Sequence, residues 1–559
     1  MLKLIEIKGF RSFSQESFQR IELRPFTVIV GENDTGKSNI LKAIQFALDP
    51  SIDNIVKEDF NIRKSRLRTG QIGDKKASKI TIKLHFTGHT KLLPKKYQRR
   101  SYHSNGDKSF VIECVASGHD KSTYRKQYRL NKKIIDNAEV PLLLSRIRYF
   151  ITPSIRDVNH LNELKKILPV ERSSLITQAV KKFIDVVKDK VKKQEAIIKK
   201  ATDSEKVIIT PIVDSQDVLK IMDFDFTIVK DTIPIQLKSH GQGMISKIIL
   251  SKFLEQGRNY FVGIEEPEIH IHPNLIREII SLCDEMVKKD TQIIIVTHSP
   301  YFVNFVHTED ILVVRKDNKY TKTYSLANFK SEVSNRIEIN IFLNRQKAEI
   351  LFAKGAILVE GPYDRMIFTL VDSQEIICTF EHGISIIDVG GDTAFDIYIE
   401  LCIKSEIPWV VIGDRKAFNS PAADRKGPAL EAIKNYVSEP IVNNFLNKVK
   451  NHKNCKKELS EINKALKNKK GAMFNLSGDD ISDTIINILK KKSDDALYRK
   501  LYELYGGHPN ESDIKKIKDK VENTIKKGQN EMVIAMKHID RPNELEKTIK
   551  SALRSLRRL

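Results

Sequence analysis

A glycine-rich loop near the start of the chain has the residue types and spacing needed to hold nucleotide phosphates. Its sequence, GENDTGKS at residues 31–38, fits the pattern G-x-x-x-x-G-K-[ST]. In this pattern backbone N–H groups at a helix N-terminus face the phosphates, Lys37 neutralises the β- and γ-phosphates, and Ser38 ligates Mg²⁺. The predicted nucleotide-binding residues of this loop are Gly31, Asn33, Asp34, Thr35, Gly36, Lys37, Ser38 and Asn39.

The segments on either side of the loop have the character that phosphate binding requires. Phe26–Val30 is an apolar run that predicts a buried strand entering the loop, and Asn39–Leu48 predicts a helix leaving it. An isolated match to the pattern could be an ordinary glycine-rich turn. With the strand and the helix in place, a phosphate-binding loop is the favoured interpretation.

The composition indicates a soluble globular protein with more than one domain. The chain has 559 residues, 40% apolar and 30% charged. No apolar run approaches the roughly 20 residues of a membrane span, and the N-terminus has no secretory pattern, so no membrane association is expected. The five cysteines lack pairing or metal-ligand spacing, which favours the reducing cytoplasm.

The charge of the chain points to a polyanionic partner. The formal net charge is +23. Because neutralisation of phosphates drives nucleic-acid binding, nucleic acid is the leading explanation. The alternative is a general richness in lysine on solvated helices.

The pattern along the chain predicts an α/β protein with four stretches. Residues 1–150 and 207–335 form the two parts of a nucleotide-binding domain, with strand–helix alternation in the second part. Residues 151–206 form a helical insertion between them, whose apolar stripe between Val158 and Ser204 predicts pairing with a second copy. Residues 345–559 open with parallel strands and become helical and basic.

Three motifs after the loop place it in a class of nucleotide-binding proteins. Ser239-His240-Gly241-Gln242-Gly243 stands before a predicted helix. It resembles the LSGGQ-type signature of the ABC ATPase superfamily, in which the serine hydroxyl and glycine amides close over the γ-phosphate of a nucleotide held by a second subunit. By this resemblance Ser239, Gly241 and Gln242 contact ATP.

The second motif is an apolar strand that ends in acids, FVGIEEPE at residues 261–268. Glu265 stands where the Mg²⁺-associated acid of a Walker B element is usually Asp, and Glu266 would orient or deprotonate the attacking water. The run EEPEIHIHP resembles the SMC and RecF-like branch of the superfamily. Acids at a strand end can also be solvent-facing turn residues.

The third motif follows the apolar strand Gln292–Val296 and places His298 where the switch histidine of that superfamily senses the γ-phosphate. The opening run IKGFRSF also resembles this branch, in which the arginine, here Arg11, approaches the nucleotide. ABC-type heads bind ATP between two heads. One set of motifs per chain therefore implies a homodimer or a tetramer.

A second candidate site lies in the C-terminal part. Glu360 follows the predicted strand Ala356–Val359, and Asp414 follows the predicted strand Pro408–Gly413. Carboxylates at the ends of adjacent parallel strands can converge on a divalent metal, Mg²⁺ or Mn²⁺. Asp364, shortly after Glu360, is a further candidate ligand.

This order of strands and acids resembles a Toprim domain, in which a strand-end Glu and a DxD pair hold Mg²⁺ for phosphodiester chemistry. The chain departs from that pattern, because Lys416 replaces the second Asp. An ammonium group cannot ligate Mg²⁺. Either another acid substitutes, or the metal has fewer ligands, or the nuclease is weakened; Lys416 could also contact the phosphate of a nucleic acid.

An ATPase head with a helical insertion and a C-terminal Toprim domain resembles the overcoming-lysogenization-defect (OLD) family of nucleases. The family carries later acids and a lysine. The run LSGDDISD at residues 476–483 resembles the acidic element, with Asp479, Asp480 and Asp483 as candidate ligands, and Lys537 would stabilise charge on the scissile phosphate. The alternatives are a helix N-cap cluster for these acids and an exposed surface position for the lysine.

Two functions from different classes follow from these motifs. The first is an ATP-regulated, metal-dependent DNA endonuclease, which the resemblance associates with anti-phage defence. The second is an ATP-gated DNA clamp or scaffold that has lost cleavage, which Lys416 favours. DNA is the expected partner, with other nucleic acid as an alternative. The family also implies a helicase or a retron reverse transcriptase with its nucleic acid as a companion.

Overall fold

The computed structural model divides the chain into two compact units, Met1–Ala327 and Asn328–Leu559. The structure describes residues 1–51, 55–61, 64–66, 72–74, 78–88, 93–104, 107–118, 124–152, 195, 206–213, 222–230, 233–236, 260–268, 273–317, 319–327, 329, 347–372, 379–391, 394–413, 418, 429–430, 433, 436–450, 456–475, 481–508, 512–527, 529–539 and 543–558.

The first unit is rich in strands. Its described strands are β1 Leu2–Lys8, β2 Gln19–Glu22, β3 Phe26–Gly31, β4 Lys64–Arg66, β5 Ile72–Asp74, β6 Ser78–Thr87, β7 Tyr102–Ser104, β8 Asp107–Gly118, β9 Arg125–Leu130, β10 Lys133–Ile135, β11 Arg148–Thr152, β12 Lys206–Val213, β13 Met222–Lys230, β14 Ile233–Gln236, β15 Tyr260–Glu265, β16 Gln292–Val296, β17 Ile311–Asp317 and β18 Tyr320–Ser325. Its described α-helices are α1 Lys37–Leu48, α2 Lys95–Gln98, α3 Val140–Leu144, α4 Pro273–Lys288 and α5 Pro300–Val303.

A largely parallel sheet positions the nucleotide loop of this unit. Its strand order is β11-β15-β16-β3-β17-β18, and only the β17–β18 pair is antiparallel. Every residue of β3 and β16 is buried. Such continuous apolar runs are typical of central strands that are covered on both faces. The sheet therefore places the carboxyl ends of β3, β15 and β16 along one edge.

A second, antiparallel sheet has the strand order β10-β9-β8-β6-β1-β2, with β7 paired to β8. Buried residues alternate along most of β1, as expected for a sheet with one face on the core. Helix α1 buries Ile40, Leu41 and Ile44 in the core cluster that this sheet shares with β3. The segment that leaves the nucleotide loop is therefore fixed by apolar packing on both sides.

Residues 206–236 differ from the predicted strand–helix alternation. Strands β12, β13 and β14 form a consecutive antiparallel sheet, β12-β13-β14. These strands have the β-branched and aromatic composition of sheet segments, as in VIITPIV and FDFTIV. The predicted helical insertion, residues 151–206, lies outside the described residues except at 151–152, 195 and 206.

The second unit contains a parallel sheet and many helices. Its described strands are β19 Gly355–Val359, β20 Ile384–Asp388, β21 Trp409–Gly413 and β22 Gly471–Asn475. Its described α-helices are α6 Pro362–Val371, α7 Phe395–Lys404, α8 Glu439–Lys450, α9 Lys456–Leu466, α10 Ile481–Lys492, α11 Asp495–Leu504, α12 Ile514–Lys527, α13 Gln529–His538 and α14 Asn543–Arg558. Short 3₁₀ helices in the two units cover Lys57–Asp59, Asn137–Glu139, Thr308–Asp310, Ala348–Phe352, Phe380–His382 and Lys467–Lys469.

The strand order in this unit is β20-β19-β21-β22, and all three pairings are parallel. Helix α6 packs against β20 and α13, and α14 packs against β21 and β22. Together with the first unit, this arrangement confirms the predicted α/β fold. Among the residues that the structure describes, no helix is both long and apolar enough to cross a membrane.

Candidate functional site

The first candidate site lies at the carboxyl edge of the parallel sheet in the first unit. Glu265 pairs in register with Val296, and Val296 pairs with Ile29. The two chain segments that follow these strands are also hydrogen-bonded across the edge. The N–H of Glu266 donates to Val296 O at 2.7 Å, and the N–H of Thr297 donates to Ile29 O at 3.1 Å. The nucleotide loop, the acids that follow β15 and the histidine segment therefore lie side by side at this edge. The histidine segment comprises residues 296–299.

The loop before α1 has the backbone conformation that a phosphate-binding turn needs. Asp34 and Gly36 adopt left-handed φ values of 60° and 96°. A Cβ on Gly36 would lie 2.2 Å from Thr321 Oγ1 and 2.4 Å from Ser12 Oγ, so a side chain there meets both strain and collision. Thr321 Oγ1 also donates to Thr35 O at 2.6 Å. Ser12 and Thr321 thus brace the loop from outside, which its own sequence does not reveal.

The loop, the acids and the histidine enclose a cavity of about 760 Å³. Its lining residues are Asn33, Asp34, Gly36, Lys37, Ser38, Asn39, Glu266, Glu268, His298 and Ser299. Most of the loop residues predicted from the sequence face this cavity. Its size and its polar lining fit a nucleotide polyphosphate.

Lys37 carries the main positive charge at the cavity wall. Its Nζ donates to Gly31 O at 2.9 Å and to Glu32 O at 2.6 Å. Burial lowers the pKa of Lys37 to about 8, although the carboxylates of Glu266 and Glu32 oppose the shift. A phosphate that enters the cavity would offer this ammonium group an anionic partner.

Glu266 and His298 lie together at the edge of the cavity. His298 Nε2 is 3.3 Å from Glu266 Oε1. Glu266 has a left-handed φ of 48°, which is uncommon for a residue with a Cβ. Such backbone strain clusters at functional sites, where the surrounding structure holds it in place. The Glu266 side chain is therefore held beside both the loop and His298.

Glu268 is a lining residue that the sequence motifs did not single out. Its Oε1 accepts from His298 N at 2.7 Å and from Thr297 Oγ1 at 2.8 Å. Burial raises the pKa of the Glu268 carboxyl group, while its hydrogen bonds act in the opposite direction. Its position in the run EEPE was the only sequence signal that could have indicated it.

Some described residues that were predicted to bind the nucleotide do not line this cavity. Arg11, with a φ of 47°, donates from Nε to Asp59 Oδ1 at 2.9 Å and lines a separate cavity of about 260 Å³. Glu265 is buried at the end of β15. Thr35 is also buried and donates through Oγ1 to Glu32 O at 2.9 Å. Ser239, Gly241 and Gln242 lie outside the described residues.

The second candidate site is at the carboxyl edge of the β20-β19-β21-β22 sheet. Leu358 of β19 pairs with Val411 of β21, so Glu360 is level with Gly413, the last residue of β21. Asp414 follows Gly413 in the sequence but lies outside the described residues, as does Lys416. This register supports the predicted convergence of the strand-end acids.

The other predicted residues of this site have local partners where they are described. Asp364 Oδ2 accepts from Gly361 N at 2.9 Å and caps the start of α6. Asp483, on α10, lies 3.3 Å from Lys526 Nζ. Lys537 is exposed on α13, which packs against α6. Asp479 and Asp480 lie outside the described residues.

A buried ion network next to Glu360 was missed in the sequence. Asp388, at the end of β20, lies 3.3 Å from Lys347 Nζ and 3.5 Å from an Arg365 guanidinium nitrogen. A second Arg365 nitrogen is 3.1 Å from Glu349 Oε1. Burial raises the pKa of the Glu349 carboxyl group. The glycine pair after Asp388, Gly390-Gly391, indicates a turn at this strand end, but no sequence signal indicates the ion network.

The described part of the second unit holds only some of the ligands that a metal would need. Among the described residues, no three His, Cys, Asp or Glu side chains are close enough together to bind a metal ion. Glu360 supplies a hard oxygen donor at the sheet edge, of the kind that Mg²⁺ prefers. Of the other predicted donors, Asp414, Asp479 and Asp480 belong to segments that are not described.

Two family profiles match the chain. Residues 26–304 match an AAA domain associated with the AbiEii toxin of type IV TA systems. Residues 351–415 match the TOPRIM domain of overcoming lysogenization defect protein-like sequences. The first match spans the nucleotide loop and the histidine segment, and the second spans β19 to β21.

Individual proteins also resemble the chain. An OLD nuclease from Thermus scotoductus is 26% identical over 452 residues, which cover 74% of this chain and 82% of that protein. Structural maintenance of chromosomes protein 3 from Saccharomyces cerevisiae is 25% identical over 143 residues, or 26% of this chain and 11% of that protein. The crystal structure of an Smc head bound to the C-winged helix domain of ScpA covers 59% of this chain and 99% of its own, with 16% identity and a TM-score of 0.43.

The site geometry and these matches define an enzyme with an ATPase domain followed by a TOPRIM nuclease domain. Domains of these two kinds use a nucleotide and a divalent metal. These matches support the overcoming-lysogenization-defect family, the one that the motif order predicts.

Proposed function

We propose that this protein is an ATP-hydrolysing, Mg²⁺-dependent DNA endonuclease that acts in anti-phage defence. The cavity around Lys37, Glu266 and His298 supports the ATPase part of the proposal. The observation that carries the nuclease part is the parallel register of β19 and β21, which brings Glu360 level with the strand end before Asp414. Anti-phage defence comes from the family resemblance alone.

In the ATPase site, each residue has a separate task. Lys37 and the amides at the start of α1 hold the β- and γ-phosphates, and Ser38 ligates the accompanying Mg²⁺. Glu266 accepts a proton from the attacking water or orients it, because its carboxylate faces the cavity. His298, 3.3 Å from Glu266, senses the γ-phosphate. Ser239, Gly241 and Gln242 of a second subunit would close the site.

In the nuclease site, Glu360 and Asp414 would hold a divalent metal, with Asp364 and the acids at Asp479, Asp480 and Asp483 as further donors. When bound, Mg²⁺ or Mn²⁺ would polarise the scissile phosphate and activate water. Lys537 would offset negative charge that develops on the phosphate. Ion pairing of Asp483 with Lys526 and helix capping by Asp364 weigh against these two residues as primary ligands.

DNA is the proposed partner of both domains. The net charge of +23 supports binding to a polyanion. One set of ATPase motifs per chain supports a homodimer or a tetramer, with residues 151–206 as the predicted dimerisation insertion. A helicase or a retron reverse transcriptase remains a proposed companion, and the cytoplasm the proposed location.

The alternative is a DNA clamp that binds ATP but does not cut. Lys416 favours this alternative, because it occupies the position of the second aspartate of a DxD pair. A lysine there removes one carboxylate and adds a positive charge. It could instead pair with Asp414 or contact a substrate phosphate as a point charge.

Plasmid cleavage by matched variants distinguishes the two functions. Wild type, Glu360→Ala and Lys416→Asp are incubated with plasmid and Mg²⁺ or Mn²⁺, with and without ATP. We expect wild type to nick or cut the plasmid and Glu360→Ala to be inactive, with ATP hydrolysis nearly unchanged in Glu360→Ala because its site is in the other unit.

The Lys416→Asp variant reports what the lysine does. A gain of cleavage would identify an attenuating substitution, and a loss would identify a lysine that takes part in the reaction. If neither wild type nor Lys416→Asp cuts DNA or RNA under any of these conditions, with the companion proteins also supplied, the nuclease proposal is wrong and the clamp is favoured.

A further inference from the structure

We infer that Glu268 is a positioning residue for ATP hydrolysis, which acts by holding His298 against Glu266. This inference rests on the ATPase roles proposed above for Glu266 and His298. Neither the sequence motifs nor the family profiles assign a role to Glu268.

The first observation is the direct connection between Glu268 and the histidine segment. A single carboxylate oxygen, Oε1, accepts from the backbone N–H of His298 at 2.7 Å and from the hydroxyl of Thr297 at 2.8 Å. Both distances are those of well-formed hydrogen bonds. Because one bond goes to the backbone of His298 itself, the position of Glu268 fixes where the imidazole side chain begins.

The second observation is that the two segments are connected twice. Glu266 N donates to Val296 O at 2.7 Å, at the start of the histidine segment. The second connection is two residues further along each segment, where Glu268 Oε1 accepts from the N–H of His298. The backbone between Glu266 and Glu268 contains Pro267, which has a fixed φ and no N–H group. The left-handed φ of 48° at Glu266 is held between these two connections.

The third observation is that burying the carboxylate of Glu268 costs free energy. Its second carboxylate oxygen, Oε2, is buried and has no hydrogen-bond partner among the described residues. An unpaired buried acceptor is expensive, so packing alone would favour an apolar residue at this position. The benefit that offsets this cost is the pair of hydrogen bonds to Thr297 and His298.

The consequence for catalysis is geometric. His298 Nε2 and Glu266 Oε1 are 3.3 Å apart, and both side chains line the cavity that would receive the γ-phosphate. Without Glu268 Oε1, the N–H of His298 loses its acceptor and the imidazole shifts relative to Glu266. A misplacement of about 1 Å at a reacting centre can lower a rate by about 100-fold.

A double-mutant cycle tests this inference with steady-state ATP hydrolysis by the full-length protein. The variants are Glu268→Ala, His298→Ala and the double variant, with Glu285→Gln on the exposed face of α4 as a matched control. We expect Glu268→Ala to lower kcat by roughly 10- to 100-fold while KM for ATP changes by less than about 3-fold. In the His298→Ala background, the same substitution should change kcat by less than about 3-fold, because the residue that it positions is already gone.

A conservative variant separates positioning from stability. Glu268→Gln keeps a carbonyl oxygen that can accept both hydrogen bonds, so its kcat should fall much less than that of Glu268→Ala. Glu268→Asp withdraws the acceptor by one methylene and should be intermediate. If Glu268→Ala does not fold, the cycle is run with Glu268→Asp. The melting temperature of each variant is measured alongside, and Glu285→Gln should match wild type in both measurements.

The outcomes distinguish this inference from the function on which it depends. Wild-type kcat in His298→Ala would contradict the proposed role of His298. A slow His298→Ala with an unchanged Glu268→Ala would contradict only the role of Glu268. Equal losses from Glu268→Ala in both backgrounds would also overturn the inference, since Glu268 would then act independently of the histidine.

Discussion

The two candidate sites share a position in their sheets, but the acids at the two sites have different surroundings. Each lies at the carboxyl edge of a parallel sheet, where several strand ends meet. In the first unit, Glu266 points into a cavity and lies beside His298. In the second unit, Asp388 occupies an equivalent strand-end position but is buried between Lys347 and Arg365. A strand-end position alone therefore does not make an acid functional.

The difference lies in what neutralises each carboxylate. Asp388 has two cationic partners, and its side chain is only 6% exposed. Such an acid stabilises the fold around Glu360, because removing it would take away the buried negative charge that the two cations share. Glu266 is placed by a strained backbone, with its carboxylate available to a ligand. The comparison predicts that substitutions at the two positions change different properties of the protein.

The largest effect is expected for Glu266→Gln in the ATPase unit. A carboxamide keeps the shape of the side chain but cannot accept the proton of the attacking water. We expect kcat for ATP hydrolysis to fall by roughly 100- to 1000-fold, while binding of a non-hydrolysable ATP analogue is preserved. Phosphate release measures the first quantity and calorimetry the second. Equal hydrolysis by wild type and variant would remove Glu266 from the mechanism.

The second prediction tests the structural role of the ion network. Asp388→Ala removes the buried carboxylate that Lys347 and Arg365 share, and breaking a buried ion pair costs about 3–5 kcal/mol. Asp483→Ala breaks a pair with Lys526 that is half-exposed, where the cost is roughly 0–1 kcal/mol. The two variants form a matched set, because each removes one acid from the second unit.

Scanning calorimetry of the full chain without added metal measures this difference. We expect Asp388→Ala to lower the melting temperature of the second unit by about 10 °C and Asp483→Ala by at most about 3 °C. The transition of the first unit should not move in either variant. Equal shifts for the two acids would mean that the Asp388 network is not the stabilising feature that its burial indicates.

These differences also show what sequence patterns can predict. Apolar runs predicted β3, β15, β16 and β19 to within a residue or two, because a buried strand between polar turns has a distinct composition. The motifs likewise predicted most residues that line the ATP cavity. Both inferences use residues that are close together in the sequence.

Contacts between distant segments could not be predicted from these patterns. The roles of Glu268 and Asp388 depend on partners in other segments, His298 for one and Lys347 for the other. The ion pair of Arg11 with Asp59, which comes from a separate segment, likewise has no signal in the motifs. Acids at strand ends look alike in a sequence. Only the cations or backbone amides that they contact in the folded chain distinguish an acid that stabilises the fold from one that takes part in the reaction.

The smallest expected effect concerns the protonation of Lys37 in the ATP site. The pKa of Lys37 is about 8, below its ordinary value of 10.5, because burial penalises the charged ammonium group. At pH 9 most of Lys37 is therefore neutral in the free protein, whereas at pH 7 most of it is charged. ATP phosphates placed beside Nζ favour the charged form and raise this pKa. Binding at pH 9 should therefore be accompanied by uptake of most of one proton by Lys37, and binding at pH 7 by a much smaller uptake.

Calorimetry with a non-hydrolysable ATP analogue in buffers of different ionisation enthalpy measures this uptake. Lys37→Arg is the matched control, because a guanidinium group stays protonated at both pH values and has no proton to gain. Proton uptake at pH 9 by wild type but not by Lys37→Arg would identify Lys37 as the group that becomes charged when ATP binds. The same uptake by both proteins would assign the proton to another group, and no uptake by wild type would mean that the phosphates do not reach Lys37. The cationic wall of the cavity can thus be recognised by the proton that Lys37 gains when a ligand binds.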